Sequence, residues 1–177
     1  QILWVNMTTA IFLGMMLAFE PKEPGIMQRP PQDPKMPIMT RDVIIRTLYV
    51  GILLVSGVFG LFKYSLRQGI PVEEARTVAT TTLVMGELFY LFNCRSLYRS
   101  LFSIGLFSNL WVWVGCGLMI LAQMLFVQVP FMNRMFHSAP LQLLEWEEIL
   151  FVCLLVSAVV SVEKYVRRQK KVEKRGT

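Results

Sequence analysis

The feature that most constrains the fold of this chain is a series of apolar blocks, each close in length to a membrane-spanning helix. The blocks cover residues 2–19, 43–64, 77–92, 110–129 and 148–166. A helix rises about 1.5 Å per residue, so about 20 apolar residues cross a hydrocarbon core about 30 Å thick. Backbone polar groups need internal partners in lipid, which favours helices over isolated strands. The sequence therefore predicts an all-α, polytopic membrane helical bundle with about five transmembrane helices.

The composition supports this architecture and argues against a soluble domain. Hydrophobic residues make up 54% of the chain and charged residues only 17%, whereas a soluble domain usually has about 25% charged residues. The net charge of +6 is concentrated at the edges of the apolar blocks and in the tail, which suits anionic lipid headgroups. We therefore expect the lipid bilayer as a partner, and no nucleic acid.

The connectors indicate how the chain is oriented in the membrane. Three segments fall on the same side of the membrane if every apolar block crosses it. They are a proline-rich loop at residues 20–42, a link at 93–109 and a basic tail at 167–177. Together with the block edges beside them, they hold 14 of the 18 Lys and Arg residues. The positive-inside rule makes that side cytoplasmic, which predicts a multi-pass plasma-membrane protein with a cytoplasmic C-terminus. Five spans with an outside start also suggest a piece of a longer polypeptide.

Two polar residues in the first block are candidate cation ligands. Asn6 and Thr9 lie three residues apart, so they share a helical face, and their amide and hydroxyl oxygens could coordinate a dehydrated cation. The alternative is hydrogen bonding between helices, which contributes about 0.6–2 kcal/mol in membranes. On this block alone, helix packing is the favoured interpretation.

Glu87 gives a stronger signal, because it lies within the third apolar block. A charged side chain at the bilayer centre costs about 2.5–3.5 kcal/mol on insertion scales, so such residues usually face an ion path or a partner. The alternative is a protonated Glu87 that holds two helices together. We favour an ion ligand. No nucleophile motif or glycine-rich phosphate loop is visible, so we predict no catalytic or cofactor-binding residue in this chain.

Several stretches, in order along the chain, carry a family resemblance. They are QILWVN with AFEP at residues 18–21, IMQRPP at 26–31, ARTVA at 75–79 with Glu87 and FNCRS at 92–96, and Trp146 with Glu163-Lys164. This order resembles helices six to ten of type II P-type cation-transporting ATPases, in particular their bacterial calcium-pump-like members. The resemblance covers essentially the whole chain.

The resemblance implies an ATP-driven cation pump as the parent protein. ATP, Mg²⁺ and a phosphorylated aspartate would belong to cytoplasmic domains outside this chain, and the preceding membrane helices would complete the ion site. Asn6, Thr9 and Glu87 fall where the family has ion ligands, with Ca²⁺ as the candidate cation. Ala10 falls where calcium and sodium pumps carry an aspartate, and losing that carboxylate should weaken divalent binding.

A different function class stays open at this point. A non-enzymatic membrane scaffold or a passive ion-pathway module would explain the apolar blocks equally well. It would not explain the order of the motifs. The sequence upstream of Gln1 discriminates between the two, because a pump requires the phosphorylation motif Asp-Lys-Thr-Gly-Thr there.

Overall fold

The computed structural model describes residues 1–19, 41–94 and 109–176, and every regular element within them is helical. Helix α1 spans Ile2–Thr9, continues as a π-helix at Ala10–Gly14 and is followed by α2 at Met15–Ala18. The other helices are α3 (Arg41–Arg67), α4 (Val72–Cys94), α5 (Leu110–Gln128), α6 (Pro130–Phe136) and α7 (Leu143–Gly176). The predicted all-α fold is confirmed. Most of the predicted proline-rich loop and of the 93–109 link lies outside the described residues.

Three of the described helices are long and apolar enough to cross a membrane. They are Val43–Arg67, Leu110–Gln128 and Leu143–Arg167. The first apolar block forms a shorter apolar helix, Ile2–Gly14. Helix α4 has 23 residues but carries Glu73, Glu74, Arg76 and Glu87, and it is not among the three. The predicted number of five crossings therefore stays a prediction.

Helix α4 is the central helix of the bundle, and this position explains its polar sequence. It contacts α1, α3, α5 and α7. Its buried residues include Thr77, Val78, Thr81, Thr82, Val84, Leu88 and Leu91. Small and hydroxyl-bearing residues let helices approach closely in membranes, and a helix surrounded by other helices needs little apolar surface of its own. The large exposed apolar side chains lie mainly on α3, α5 and α7, which suits contact with lipid.

A tight turn makes α3 and α4 antiparallel neighbours. Gly69 has a positive φ of 81°, a conformation that glycine adopts without steric cost. The Ile70 N–H donates to the Ser65 carbonyl and the Gly69 N–H to the Leu66 carbonyl, both at 3.2 Å. These two bonds form a Schellman motif, which satisfies carbonyls at the end of α3. The connector is thus a short turn that leads directly into α4 at Val72.

The side chain of Gln1 fixes the start of α1 beside α4. Its Oε1 accepts a hydrogen bond from the Thr80 hydroxyl at 2.8 Å, and its Nε2 donates to the His137 carbonyl at 2.9 Å. The start of α1, the α3–α4 turn and the segment after α6 therefore lie towards the same end of the bundle. Helix α1 runs parallel to α4 as a result.

Helix α7 is much longer than the predicted fifth block. It begins at Leu143. In its first turn, the Glu145 Oε2 accepts a hydrogen bond from the Gln142 N–H at 2.7 Å and so caps the helix. Its 34 residues extend about 50 Å at 1.5 Å per residue. That length exceeds a hydrocarbon core of about 30 Å. The predicted basic tail is therefore helical as far as Gly176.

A polar cluster joins the C-terminal end of α4 to α7. The Asn93 amide donates to the Ser157 hydroxyl and accepts from the Ser161 hydroxyl, both at 3.3 Å, and its backbone carbonyl accepts from Lys164 at 3.2 Å. Lys164 of α7 therefore binds the C-terminal end of α4. Glu163 instead pairs with Arg167 at 2.7 Å.

Two apolar clusters fill the spaces around α4. The first joins α1, the π-helix, α2, α4 and α5 through Val5, Leu13, Met16, Val84, Leu88, Leu91, Val112, Cys116 and Met119. The second joins α3, α4, α5 and α7 and includes Leu61, Val78, Met85, Phe126, Val127, Leu141, Ile149 and Cys153. Cys116 and Cys153 are buried free cysteines and act in these clusters as small hydrophobic residues.

A buried hydrogen bond between α4 and α5 gives a test of this packing. The fully buried Gln123 donates through Nε2 to the Thr81 hydroxyl at 2.9 Å, whereas the equally buried Thr82 hydroxyl donates to the Val78 carbonyl of its own helix at 2.7 Å. Hydrogen bonds between membrane helices contribute about 0.6 kcal/mol on average and about 1.7 at most. Thr81→Val should therefore lower the free energy of unfolding by ~1 kcal/mol more than the matched control Thr82→Val.

The measurement is SDS-induced unfolding of the purified complete protein in mixed micelles. Equal losses for the two variants would show that the Gln123–Thr81 bond does not stabilise the packing of α5 on α4.

Candidate functional site

The candidate site lies where α1 meets the middle of α4. Because Gln1 is bonded to Thr80 and the two helices are parallel, Thr9 comes level with Glu87. The Thr9 hydroxyl lies beside the Glu87 carboxyl. The structure thus brings together two residues, separated by 78 positions in the sequence, that were both predicted as ligands.

The carboxyl group of Glu87 is incompletely satisfied. Its Oε2 is buried and has no hydrogen-bond partner among the residues that the structure describes. A buried polar atom without a partner loses its hydration without compensation, so most such atoms in native proteins bind a protein group, water or an ion. The second oxygen of Glu87 is therefore free to bind a proton, a water molecule or a cation.

The Thr9 hydroxyl has a single proton and two neighbours that can accept it. It lies 2.8 Å from the Val5 carbonyl, one turn earlier on the same helix, and it also faces Glu87. When the proton goes to Val5, the oxygen lone pairs are left for the site. Thr9 then presents a neutral oxygen ligand next to a carboxylate.

Asn6, the third predicted ligand, is not brought against Glu87. Its side chain is exposed one turn before Thr9, and Ala10, one turn after Asn6, is exposed as well. Asn6 and Ala10 are four residues apart and lie on one face of the helix. This face carries the Asn6 amide oxygen, which is accessible for contact with neighbouring parts of a larger protein.

A π-helix follows Thr9 directly, and sequence reasoning did not anticipate it. It covers Ala10–Gly14; π-helical turns are rare, and they occur frequently at functional sites. The hydroxyls of Thr8 and Thr9 both donate to carbonyls of the preceding turn, at 2.8 Å to Trp4 and 2.8 Å to Val5. Such back-bonding often bends helices, so the Thr8-Thr9 pair was the available signal.

Aromatic packing holds the first turn of α1 in place. The Trp4 ring stacks on Phe126 of α5 with centroids 5.3 Å apart and packs against Phe136 of α6 at 5.5 Å. Aromatic pairs at these separations contribute about 0.5–1.5 kcal/mol beyond their burial. The position of Thr9 is therefore set by packing upstream as well as by Gln1.

The side chains that meet here offer hard oxygen atoms and little charge. Among the described residues, no group of three or more His, Cys, Asp and Glu side chains converges as at a metal centre held within this chain. A carboxylate and a neutral hydroxyl oxygen are donors that would suit ions such as Na⁺, K⁺, Mg²⁺ or Ca²⁺ better than Zn²⁺ or Cu²⁺. A complete coordination shell would need further oxygens.

Similar proteins agree with these features. A family model described as "Cation transporting ATPase, C-terminus" matches residues 1–166. A probable cation-transporting ATPase F of Mycobacterium tuberculosis is 46% identical over 168 residues, which cover 95% of this chain and 19% of that protein. The cation-transporting ATPase pma1 of Synechocystis is 34% identical over 161 residues, with 88% and 17% covered.

A more distant relative is a eukaryotic protein. The calcium-transporting ATPase type 2C member 1 of Homo sapiens is 29% identical over 168 residues, which cover 95% of this chain and 18% of that protein. The chain spans about a fifth of the length of the relatives that it matches. Because the family model covers nearly the whole chain, the chain belongs to the P-type cation-transporting ATPases and corresponds to their C-terminal membrane region.

Proposed function

We propose that this chain forms part of the ion-translocation pathway of an ATP-driven cation pump, with Thr9 and Glu87 as ion ligands. The observation that carries the proposal is the apposition of the Thr9 hydroxyl and the half-buried Glu87 carboxyl inside the helical bundle. Family membership supports it, since relatives along the whole chain are named as cation-transporting ATPases.

Electrostatics favours a bound cation at this position. An ionised carboxylate inside a membrane costs about 2.5–3.5 kcal/mol on insertion scales. With the Thr9 proton donated to the Val5 carbonyl, two oxygens face each other, and a cation between them would interact favourably with both. Protonation of Glu87 relieves the same cost, so proton and cation would compete for one carboxyl group.

The remaining ligands would come from Asn6 and from the rest of the complete protein. Ca²⁺ takes about 6–8 oxygen ligands, more than Thr9 and Glu87 supply. The exposed face of α1 that carries Asn6 and Ala10 would be covered by the preceding membrane helices. Since Ala10 offers no carboxylate, the site would hold less negative charge than one with an aspartate there, which would weaken divalent binding or reduce the number of ions bound.

The transported cation and the energy source are part of the same proposal. Ca²⁺ is the first candidate, because a relative that matches 95% of the chain is named a calcium-transporting ATPase. ATP and Mg²⁺ would be used by cytoplasmic domains of the complete protein, where an aspartate would be phosphorylated. Helices α3, α5 and α7 would support the site and face lipid.

The orientation in the plasma membrane is proposed from charge. The basic end of α7, beyond Arg167, would lie in the cytoplasm, because cytoplasmic segments close to membrane spans are enriched in Lys and Arg. Gln1, the α3–α4 turn and α6 would then lie at the outer face.

Glu87→Gln in the complete protein tests the ion site. The substitution keeps the size of the side chain and removes its charge, so the cation concentration for half-maximal phosphorylation by ATP should rise about tenfold or more, equivalent to ~1.4 kcal/mol. Phosphorylation would be measured against Ca²⁺ and then against Mn²⁺, Na⁺ and K⁺.

Glu163→Gln is the matched control, because Glu163 lies on α7, outside the site, and pairs with Arg167 of the same helix. It should leave the cation dependence unchanged. If Glu87→Gln behaves like this control, Glu87 only holds helices together. If no cation stimulates phosphorylation of the wild-type protein, the pump proposal itself is wrong, and a scaffold or passive pathway becomes the better explanation.

Reporter fusions test the orientation. A green fluorescent protein fused after Thr177 should fluoresce and alkaline phosphatase at the same site should be inactive, because the former matures in the cytoplasm and the latter outside it. The opposite pair of results would invert the proposed topology.

A further inference from the structure

A glycine on α5 lies against the π-helix that follows Thr9. A Cβ added to Gly115 would lie 3.0 Å from the backbone oxygen of Phe12 and 3.0 Å from the Sδ of Met16, and closer still to the Met16 Cγ. The approach to the Met16 Cγ is closer than a real Cβ tolerates, and 3.0 Å to the Phe12 oxygen is tighter than most Cβ contacts, so a side chain at residue 115 would force these neighbours to shift. The absence of a side chain at Gly115 therefore lets α5 pack closely against the π-helix and Met16.

The contact involves the Met16 side chain and, at the Phe12 oxygen, the backbone of the π-helix itself. Phe12 is the third residue of the π-helix Ala10–Gly14. Its carbonyl oxygen is part of the irregular backbone that directly follows Thr9. Close approach at a glycine is common between membrane helices, where packing and weak Cα–H···O contacts bring backbones together. A shift of the Phe12 carbonyl would be transmitted to Thr9 through one turn of helix.

The surroundings prevent the π-helix from moving away freely. Leu13 and Met16 are buried in the same apolar cluster as Val112, Cys116 and Met119 of α5. On the other side, Val84 and Leu88 of α4 belong to that cluster too. Closely packed interiors respond to an added methyl group by displacement of their backbone.

We propose that Gly115 is a positioning residue for the cation site: it lets α5 hold the π-helix where Thr9 faces Glu87. This inference rests on the proposed function of Thr9 and Glu87 as ion ligands. Gly115 touches neither residue of the site, and its effect passes through the Phe12 carbonyl.

The chain offers a matched control on the same helix. A Cβ added to Gly117 meets nothing within 4 Å, so Gly117→Ala makes the same chemical change two residues away without a steric consequence. Both variants gain the same helix propensity, because alanine is favoured over glycine in a helix. A difference between them therefore reports the contact with the π-helix.

The experiment measures phosphorylation of the complete protein by ATP over a range of Ca²⁺ concentrations, or of whichever tested cation stimulates the wild-type protein. Gly115→Ala should raise the half-saturating concentration about 5-fold or more, the size expected from overpacking by one methyl group, and leave the maximal level close to wild type. Gly117→Ala should leave both quantities unchanged. If the role of Gly115 were purely structural, Gly115→Ala would lower the maximal level of phosphorylation and leave the apparent affinity for the cation unchanged.

A second variant keeps the test decisive if Gly115→Ala fails to fold. The double variant Gly115→Ala with Met16→Ala removes the Met16 clash and retains the 3.0 Å approach to the Phe12 oxygen. It should still need more cation than Met16→Ala alone.

Equal half-saturating concentrations in either comparison would overturn the positioning role of Gly115, provided that Glu87→Gln still shifts the cation dependence. If the wild-type protein shows no cation dependence, the proposed function fails and the inference fails with it. These two results are distinguishable because the wild-type and Glu87→Gln curves are measured in parallel.

Discussion

The interaction on which the rest of this structure depends is the placement of the Glu87 carboxyl inside the bundle, facing Thr9. A carboxyl group there requires a central helix that is shielded from lipid and supplied with polar neighbours. Helix α4 meets both conditions, since four other helices contact it and its buried threonines bond to carbonyls or to side chains of neighbouring helices. The helices around it present the apolar surface.

The geometry of the first segment follows from the same requirement. Thr9 reaches Glu87 because Gln1 and Trp4 hold the start of α1 against α4, α5 and α6. Immediately after Thr9 the helix widens into a π-turn, and the next helix to pack there has a glycine at the contact. Thr9, the irregular backbone after it and the close approach of α5 form one connected arrangement, in which Thr9 is fixed from both sides.

The sequence predicted the helical architecture and two of the residues that meet in the site, for physical reasons. Long apolar blocks have few alternatives to membrane helices, and Glu87 is conspicuous because it is charged within such a block. The Thr8-Thr9 pair indicates a bend but does not specify a π-helix, and the role of Gly115 depends on which backbone surfaces meet in three dimensions. Asn6 was predicted as a ligand from the family resemblance, because helical spacing alone favoured helix packing, and neither signal says which neighbour covers that face.

The central claim is that a cation lies between Thr9 and Glu87, and an electron cryomicroscopy structure of the complete protein in saturating Ca²⁺ tests it most directly. We expect a density peak about 2.3–2.6 Å from both the Thr9 hydroxyl oxygen and a Glu87 carboxylate oxygen, the distance of Ca²⁺ ligands. The peak should disappear when Ca²⁺ is chelated. A Glu87 carboxyl that bonds directly to the Thr9 hydroxyl in both states, with the cation bound elsewhere, would contradict it.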